Sequence, residues 1–216
     1  MKVVLIGASG FVGSAVLHEL LQRGHYVTAI TRNAGKLQPA NNLAAISVDV
    51  LNEVDVANVL AGHDAVISAY NAGWQNPNLY KDFLKGSQAI QSAVKKAGIK
   101  RLIVVGGAGS LFIAPGQQLV DTEGFPDDWK PGALAARDYL NILKQERELD
   151  WTFLSPAIEM HPGTSGKRLG TYRTGLDNPV TDTEGRSVIS VEDVAVAVAD
   201  ELEHPKHIQQ RFTVAY

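Results

Sequence analysis

MKVVLIGASGFVGSAVLHELLQRGHYVTAITR, residues 1–32, is the stretch that decides the fold of this 216-residue chain. The apolar run Val3–Ile6 is typical of a parallel strand buried on both faces. Glycines at a three-residue spacing follow it, and an amphipathic helix is predicted to begin near Phe11 and to end at Gly24. Tyr26–Thr31 predicts the next strand. The stretch therefore predicts a nucleotide-binding βαβ unit.

Each glycine of the turn has a mechanical reason. Gly7 lets the backbone turn sharply, Gly10 lets a pyrophosphate approach the chain, and Gly13 lets the helix pack closely on the strands. The helix N-terminus offers free N–H groups and a positive dipole end to phosphate. The alternative is a βαβ unit whose glycines serve packing alone. We predict a dinucleotide site made by Gly7, Ala8, Ser9, Gly10, Phe11, Val12 and Gly13.

The composition places limits on the other functions. The net charge of -3 gives no electrostatic reason to expect nucleic acid or an anionic membrane as a partner. The chain has no cysteine, which excludes disulfides and cysteine nucleophiles. Met1-Lys2 leads straight into the first predicted strand, so we expect no cleavable signal, and no apolar run is long enough to span a bilayer. We expect one cytoplasmic domain, residues 1–216, that acts on a small molecule as a monomer or homodimer.

Strand and helix patterns alternate along most of the chain. Strands are predicted at residues 44–50, 64–69, 101–105, 151–155 and 211–215, and helices at residues 53–60, 78–98, 133–149 and 191–202. This alternation of strands and helices predicts right-handed crossovers and a parallel sheet with helices on both faces. The expected fold is α/β, a Rossmann-type doubly wound parallel sheet with a small C-terminal substrate lobe. Two irregular segments, residues 107–131 and 156–187, follow strands and are expected to line the substrate side.

Arg32 ends the second predicted strand, where an acidic residue would hold the ribose hydroxyls of NAD. An arginine cannot accept those hydrogen bonds, but it can pair with a 2′-phosphate, so we predict NADP as cofactor, with Lys36 as a second cation. The alternative is a solvated arginine at a strand end. Asp49 is expected near the adenine edge, although a turn or helix cap explains it equally well.

Further cofactor contacts are expected where the parallel strands end, because open α/β sheets bind ligands at that edge. These residues are Val50, Ala69, Tyr70, Asn71, Gly106, Gly107, Pro156 and Ala157.

Four segments carry a narrower resemblance: GASGFVG, VVGGAGSL, DWTFLSP, and the tail from SVISVEDVAVAVADELEHP to HIQQRFTVAY. Together they resemble the atypical short-chain dehydrogenases, in the NmrA-like and biliverdin-reductase-B-like subgroup described as NADH-flavin reductases. The resemblance implies a Rossmann fold, bound NAD(P)H and hydride transfer to a flavin or related aromatic acceptor.

The tyrosine-lysine pair of ordinary short-chain dehydrogenases does not occur at the expected place. Lys144 follows Tyr139 by five residues instead of four, which turns the two side chains apart on a helix. The family positions fall at about Ala133 and Arg137, and neither residue matches. Arg137 is either a contact to the nicotinamide ribose or a solvated helical arginine.

Candidate catalytic residues are few. Ser110 lies in the first irregular segment, and His161 lies beside Glu159 just past the strand that ends at Ser155, where an acid or base could meet a substrate. A plain loop histidine is the alternative. The six histidines show no metal-ligand spacing, so no metal is expected.

Three functions remain open at this point. The first is an NAD(P)H-dependent reductase of a flavin or related aromatic acceptor, whose direct hydride transfer tolerates the missing pair. The second is a non-catalytic NAD(P)-binding redox sensor. The third, an epimerase or dehydratase, is disfavoured by the missing tyrosine and by the small C-terminal lobe.

Overall fold

Ten strands and five α-helices alternate along the computed structural model, which describes every residue from Met1 to Tyr216. The strands are β1 (Lys2–Ile6), β2 (Tyr26–Thr31), β3 (Leu43–Ser47), β4 (Ala65–Ser68), β5 (Arg101–Val105), β6 (Phe112–Ala114), β7 (Gln117–Gln118), β8 (Asp150–Ser155), β9 (Arg173–Gly175) and β10 (Gln210–Ala215). The helices are α1 (Phe11–Gln22), α2 (Glu53–Leu60), α3 (Leu79–Lys96), α4 (Lys130–Leu143) and α5 (Val191–Glu203). No helix combines the length and the apolar composition that crossing a membrane requires.

Eight strands form one sheet in the order β3-β2-β1-β4-β5-β8-β10-β9, and every pairing except that of β9 with β10 is parallel. The chain builds outward from β1 to β3 and then continues from β4 on the other side of β1. The strand order therefore reverses between β1 and β4, and open α/β sheets bind their ligands in the crevice above such a point. The predicted fold class, a doubly wound Rossmann-type sheet, is confirmed.

Both faces of the sheet are covered by helices. Val3 and Leu5 pack with apolar residues of α1 and α5, whereas Val4 and Ile6 pack with those of α2, α3 and α4. Successive side chains of a strand point to opposite faces, so a strand with helices on both sides must be apolar at every position. This explains the continuous run in β1.

The helix predicted at residues 133–149 has different bounds. It begins three residues earlier, because Pro131 stands in the first turn, where its missing N–H costs nothing. It ends at Leu143, since the chain then turns Glu146 inward, where the carboxylate accepts hydrogen bonds from Gln91 and Lys95. The predicted bounds were therefore wrong by about one turn at the N-terminal end and by more than one turn at the C-terminal end.

The two irregular segments contain secondary structure that the sequence did not predict. Residues 107–131 include two short 3-10 helices and the β6-β7 hairpin, and residues 156–187 include β9 and a further 3-10 helix. Phe112 and Asp177 join the segments, since the Phe112 N–H donates to the Asp177 carbonyl at 2.8 Å. The segments pack on each other beside β10.

Part of the second segment is fixed across α1 and α5. Buried Glu19 of α1 accepts hydrogen bonds from Arg168 at 2.8 and 2.9 Å and from Arg23 at 2.8 Å. Asp193, buried in the first turn of α5, accepts the N–H groups of Leu169 at 3.0 Å and Gly170 at 2.7 Å. These carboxylates hold the segment against the helices.

Glu19 gives this anchoring a pH dependence. The hydrogen bonds from Arg168, with those from Arg23, lower the pKa of Glu19 from 4.5 to about 2. A lowered folded-state pKa stabilises the protein above pH 4.5, and that stabilisation, about 3 kcal/mol, is lost as the pH falls to 2. Glu19→Gln should lower the free energy of unfolding by up to that amount at neutral pH and by much less near pH 2.

Urea unfolding at both pH values measures the difference. Glu184→Gln is the matched control, because Glu184 is exposed and its carboxylate accepts no hydrogen bond in the structure. A Glu19→Gln effect of equal size at both pH values would contradict this account of the anchor.

Candidate cofactor and substrate site

The glycine turn lies at the carboxyl end of β1, beside the point where the strand order reverses. Gly7 has φ +85°, a conformation that favours glycine, and a Cβ there would lie 2.4 Å from the carbonyl oxygen of Ala69. A Cβ on Gly13 would lie 2.1 Å from the carbonyl oxygen of Gly7, so α1 begins in direct contact with the turn. A Cβ on Gly10 would meet only that same oxygen, at 3.3 Å. The space above Gly10 is open.

The N-terminus of α1 faces this open space without a side-chain cap. Gly10 is the N-cap residue, and the first helical hydrogen bond runs from the Ser14 N–H to the Gly10 carbonyl at 2.8 Å. The N–H groups of Phe11, Val12 and Gly13 therefore have no backbone acceptor. No acidic side chain stands in the first turn to repel an anion. Three free donors at a positive helix end fit a pyrophosphate.

Ser9 and Ala8 complete the turn. The Ser9 hydroxyl lies 3.1 Å from the Thr31 hydroxyl at the end of β2, which ties the turn to the neighbouring strand. Ala8 is buried against the α1 and α5 core. The turn is thus held on two sides while its Gly10 side stays open.

Arg32, Asp49 and Tyr70 follow β2, β3 and β4, so they lie along one edge of the sheet. The Arg32 side chain is exposed and donates no hydrogen bond to the protein, and the same is true of the Lys36 side chain. Burial raises the pKa of the Tyr70 hydroxyl, Asp82 and Asp49 raise it further, and Arg32 opposes them. Arg32 and Asp49 thus both lie within electrostatic range of the Tyr70 hydroxyl.

The Asp49 carboxylate caps a turn. It accepts the N–H of Leu51 at 3.0 Å, while α2 is capped by Asn52, which accepts the N–H of Asp55 at 3.3 Å. One carboxylate oxygen of Asp49 remains free for an adenine or ribose donor. Val50, beside it, is half-buried against the core under α2 and α3.

The loop after β4 is fixed by its own side chains. The Tyr70 ring stacks on Phe83 with centroids 6.0 Å apart and lies so close over α3 that a Cβ on Gly86 would be 2.4 Å from its hydroxyl oxygen. Asn71 accepts the N–H of Gly73 at 2.7 Å. Ala69, at the start of the loop, donates its N–H to the Ile6 carbonyl at 2.9 Å.

The loop after β5 carries Gly106, Gly107 and Ser110. Gly106 lies on the Phe153 ring, and a Cβ there would be 1.9 Å from it, whereas a Cβ on Gly107 would meet nothing within 4 Å. Ser110 is buried, and its hydroxyl accepts a hydrogen bond from Arg211 of β10 at 3.2 Å. Ser110 thus has a structural partner in addition to its predicted catalytic role.

Arg211 was not among the predicted site residues. It is buried, and it also donates two hydrogen bonds to the Asp177 carboxylate, so it links Ser110 to the second irregular segment. The only sequence signal was an arginine inside a mostly apolar strand, because a charged side chain is rarely buried without a partner.

Pro156, Ala157 and His161 follow β8. Pro156 and Ala157 are buried, and Ala157 belongs to the core under α1 and α5. The His161 ring is exposed and caps a short 3-10 helix, because its Nδ1 accepts the N–H of Gly163 at 3.1 Å. Glu159 pairs with Arg186 at 2.5 Å. The nitrogen Nε2 of His161 is left free.

Tyr139 and Lys144, the residues compared above with the tyrosine-lysine pair, lie in different environments on α4. Tyr139 is buried in the core, where burial raises the pKa of its hydroxyl, and Lys144 is exposed at the helix C-cap. Ala133 contacts the loop at Gly109, and Arg137 pairs with Asp121 at 2.9 Å. Arg137 therefore has carboxylate partners within the protein, and its contact to the nicotinamide ribose stays a prediction.

The comparisons with known proteins agree with this geometry. A family model described as NAD(P)H-binding matches residues 7–205. The uncharacterized protein YwnB of Bacillus subtilis is 43% identical over 216 residues, which cover 99% of this chain and 98% of YwnB. Several solved structures are similar over the whole of this chain. A candidate epimerase from Bacteroides thetaiotaomicron is 49% identical, with a TM-score of 0.91 and 96% of its own chain covered.

A second structure is that of a candidate NADH-flavin reductase from Streptococcus pneumoniae, which is 35% identical, with a TM-score of 0.87. The match covers 100% of this chain and 99% of the reductase chain. These matches confirm the resemblance that the sequence motifs indicated. The chain belongs to the NAD(P)H-binding family, with the fold and relatives of an atypical short-chain dehydrogenase.

Proposed function

We propose that this protein is an NADP(H)-dependent reductase that passes hydride directly to a flavin or a related planar aromatic acceptor. The observation that carries the proposal is the open glycine turn, with three free N–H donors beside a cation, Arg32, that no protein group neutralises. Bound NADPH would supply the hydride. In balance, NADPH, one proton and an oxidised flavin give NADP⁺ and a reduced flavin.

The chain's own residues would bind and orient the reactants. The N–H groups at Phe11, Val12 and Gly13 would hold the pyrophosphate, and Arg32 and Lys36 would hold a 2′-phosphate. The loops after β4, β5 and β8 would surround the nicotinamide, with Gly107 leaving room for it. Ring-to-ring hydride transfer needs close overlap and exclusion of water more than a proton donor.

Tyr139 supports a mechanism without a tyrosine-lysine pair, because its hydroxyl is buried and Lys144 points to solvent. We expect Tyr139→Phe to keep kcat within a few-fold, whereas loss of a true general acid costs roughly 10²–10⁴ in rate. Steady-state kinetics at saturating NADPH measure this, with the melting temperature checked in parallel because the residue is in the core. A collapse of kcat in a stable variant would restore the ordinary dehydrogenase mechanism.

One assay distinguishes the reductase from two alternatives, a redox sensor and an epimerase. It follows the oxidation of NADPH and of NADH with riboflavin, FMN, FAD and quinones as acceptors. A redox sensor would bind the cofactor and oxidise it with none of them. An epimerase, the activity named for the Bacteroides relative, would need an acid or base at the substrate carbon, and buried Tyr139 does not offer one. We also propose that the protein lies in the cytoplasm. Cell fractionation tests this location.

A further inference from the structure

Two of the three tryptophans are exposed at one end of the molecule. Trp151 is 1% exposed in the core, whereas Trp74 is 61% exposed and Trp129 is 56% exposed. A tryptophan buries a large apolar area when it is packed, so a ring left in water forgoes much of that stabilisation. Both exposed rings belong to loops at the carboxyl edge of the sheet, the edge that binds ligands in this fold.

The two rings flank the start of α4. Trp74 lies in the loop after β4, and its six-membered ring rests against Gly132, where a Cβ would lie 2.9 Å from the ring. Trp129 directly precedes α4 and has helical backbone angles. Residues three apart on a helix project from the same side, so Trp129 and position 132 share a side. Trp74 thus rests on the first turn of α4, the turn that Trp129 precedes.

This aromatic patch, Trp74 with Trp129, adjoins the loop after β5. A Cβ on Gly109 would lie 2.9 Å from the Cβ of Ala133, the residue after Gly132. The loop that carries Gly107 therefore touches the same helical turn that seats Trp74. A ring lying on the patch would border the region where we propose the nicotinamide.

The charges around the patch are mostly negative. The segment that leads into α4 carries four exposed acidic residues, Asp121, Glu123, Asp127 and Asp128, and Lys130 is the basic residue next to Trp129. The charge of Asp121 is offset by Arg137 at 2.9 Å. A phosphate held on the patch would be repelled by the remaining acids, whereas an uncharged ring would not.

We infer that Trp74 and Trp129 form the acceptor site and that it takes an uncharged planar aromatic ring, such as riboflavin or a quinone, in preference to a phosphorylated flavin. The inference rests on the proposed function for the identity of the site, but the binding itself can be measured without turnover. Stacking of one face of the ring on the tryptophans would provide the affinity and leave the other face to the nicotinamide, and the acidic segment would provide the discrimination.

Quenching of riboflavin's own fluorescence, excited in the visible range, measures binding in variants with and without tryptophan. Trp74→Leu and Trp129→Leu should each weaken riboflavin binding roughly ten-fold, the effect expected for one lost aromatic stacking contact. Tyr26→Leu is the control, since Tyr26 is exposed at the other end of the sheet. FMN should bind more weakly than riboflavin at low salt, with the gap narrowing at high salt.

Unchanged riboflavin binding in both tryptophan variants would overturn the inference, and so would FMN binding as tight as that of riboflavin at low salt. A smaller assembly in sedimentation of the variants would also overturn it, because the patch would then be a subunit interface. If the variants lose riboflavin binding but the wild-type protein reduces no acceptor with NADPH or NADH, the site stands and the proposed function fails.

Discussion

Gly10→Val should abolish NADP(H) binding and leave the protein folded. The Cβ atom of the valine would lie 3.3 Å from the Gly7 carbonyl oxygen, a contact that a small shift relieves. The two further methyl groups of valine would occupy the open space at the N-terminus of α1, which the pyrophosphate needs. Circular dichroism should show wild-type secondary structure.

A thermal shift with cofactor measures the loss. At a cofactor concentration of 100 times Kd, the wild-type protein gains about 2.7 kcal/mol of stability, and the variant should gain none. Gly124→Val is the matched control, since Gly124 has no positive φ and a Cβ there would meet nothing within 4 Å. If Gly10→Val is still stabilised by NADP(H), the phosphate site lies elsewhere.

Arg32→Ala should remove the preference for NADP(H). A charge-assisted contact between the guanidinium and a 2′-phosphate contributes about 1.5–3 kcal/mol, or roughly 10- to 150-fold in affinity. NAD(H) lacks that phosphate, so its affinity should change little. Calorimetric titration of both cofactors tests the difference.

Lys144→Ala controls for the loss of one positive charge, because Lys144 is exposed at the end of α4 and donates no side-chain hydrogen bond. Tighter binding of NAD(H) than of NADP(H) by the wild-type protein, or an unchanged NADP(H) affinity in Arg32→Ala, would refute the role of Arg32.

The sequence by itself determined the βαβ start and the alternation of parallel strands with helices. Glycine spacing, an uninterrupted apolar strand and the period of a helix are properties of neighbouring residues, so Phe11–Gln22 and Tyr26–Thr31 could be predicted closely. The helix before β8 was misplaced, because Glu146 turns inward to partners on α3 that lie far away in the chain.

Only the tertiary structure decided what surrounds the substrate side. Ser110 meets Arg211 across 101 residues, and Glu19 meets Arg168 across 149. Trp74, in the loop after β4, rests against Gly132 of helix α4. Such long-range contacts produce no periodic pattern in the local sequence, because they depend on which segments the completed sheet brings together. Residues 1–32 could therefore indicate that a dinucleotide binds, whereas the candidate acceptor site emerged only from the packing of loops on α4.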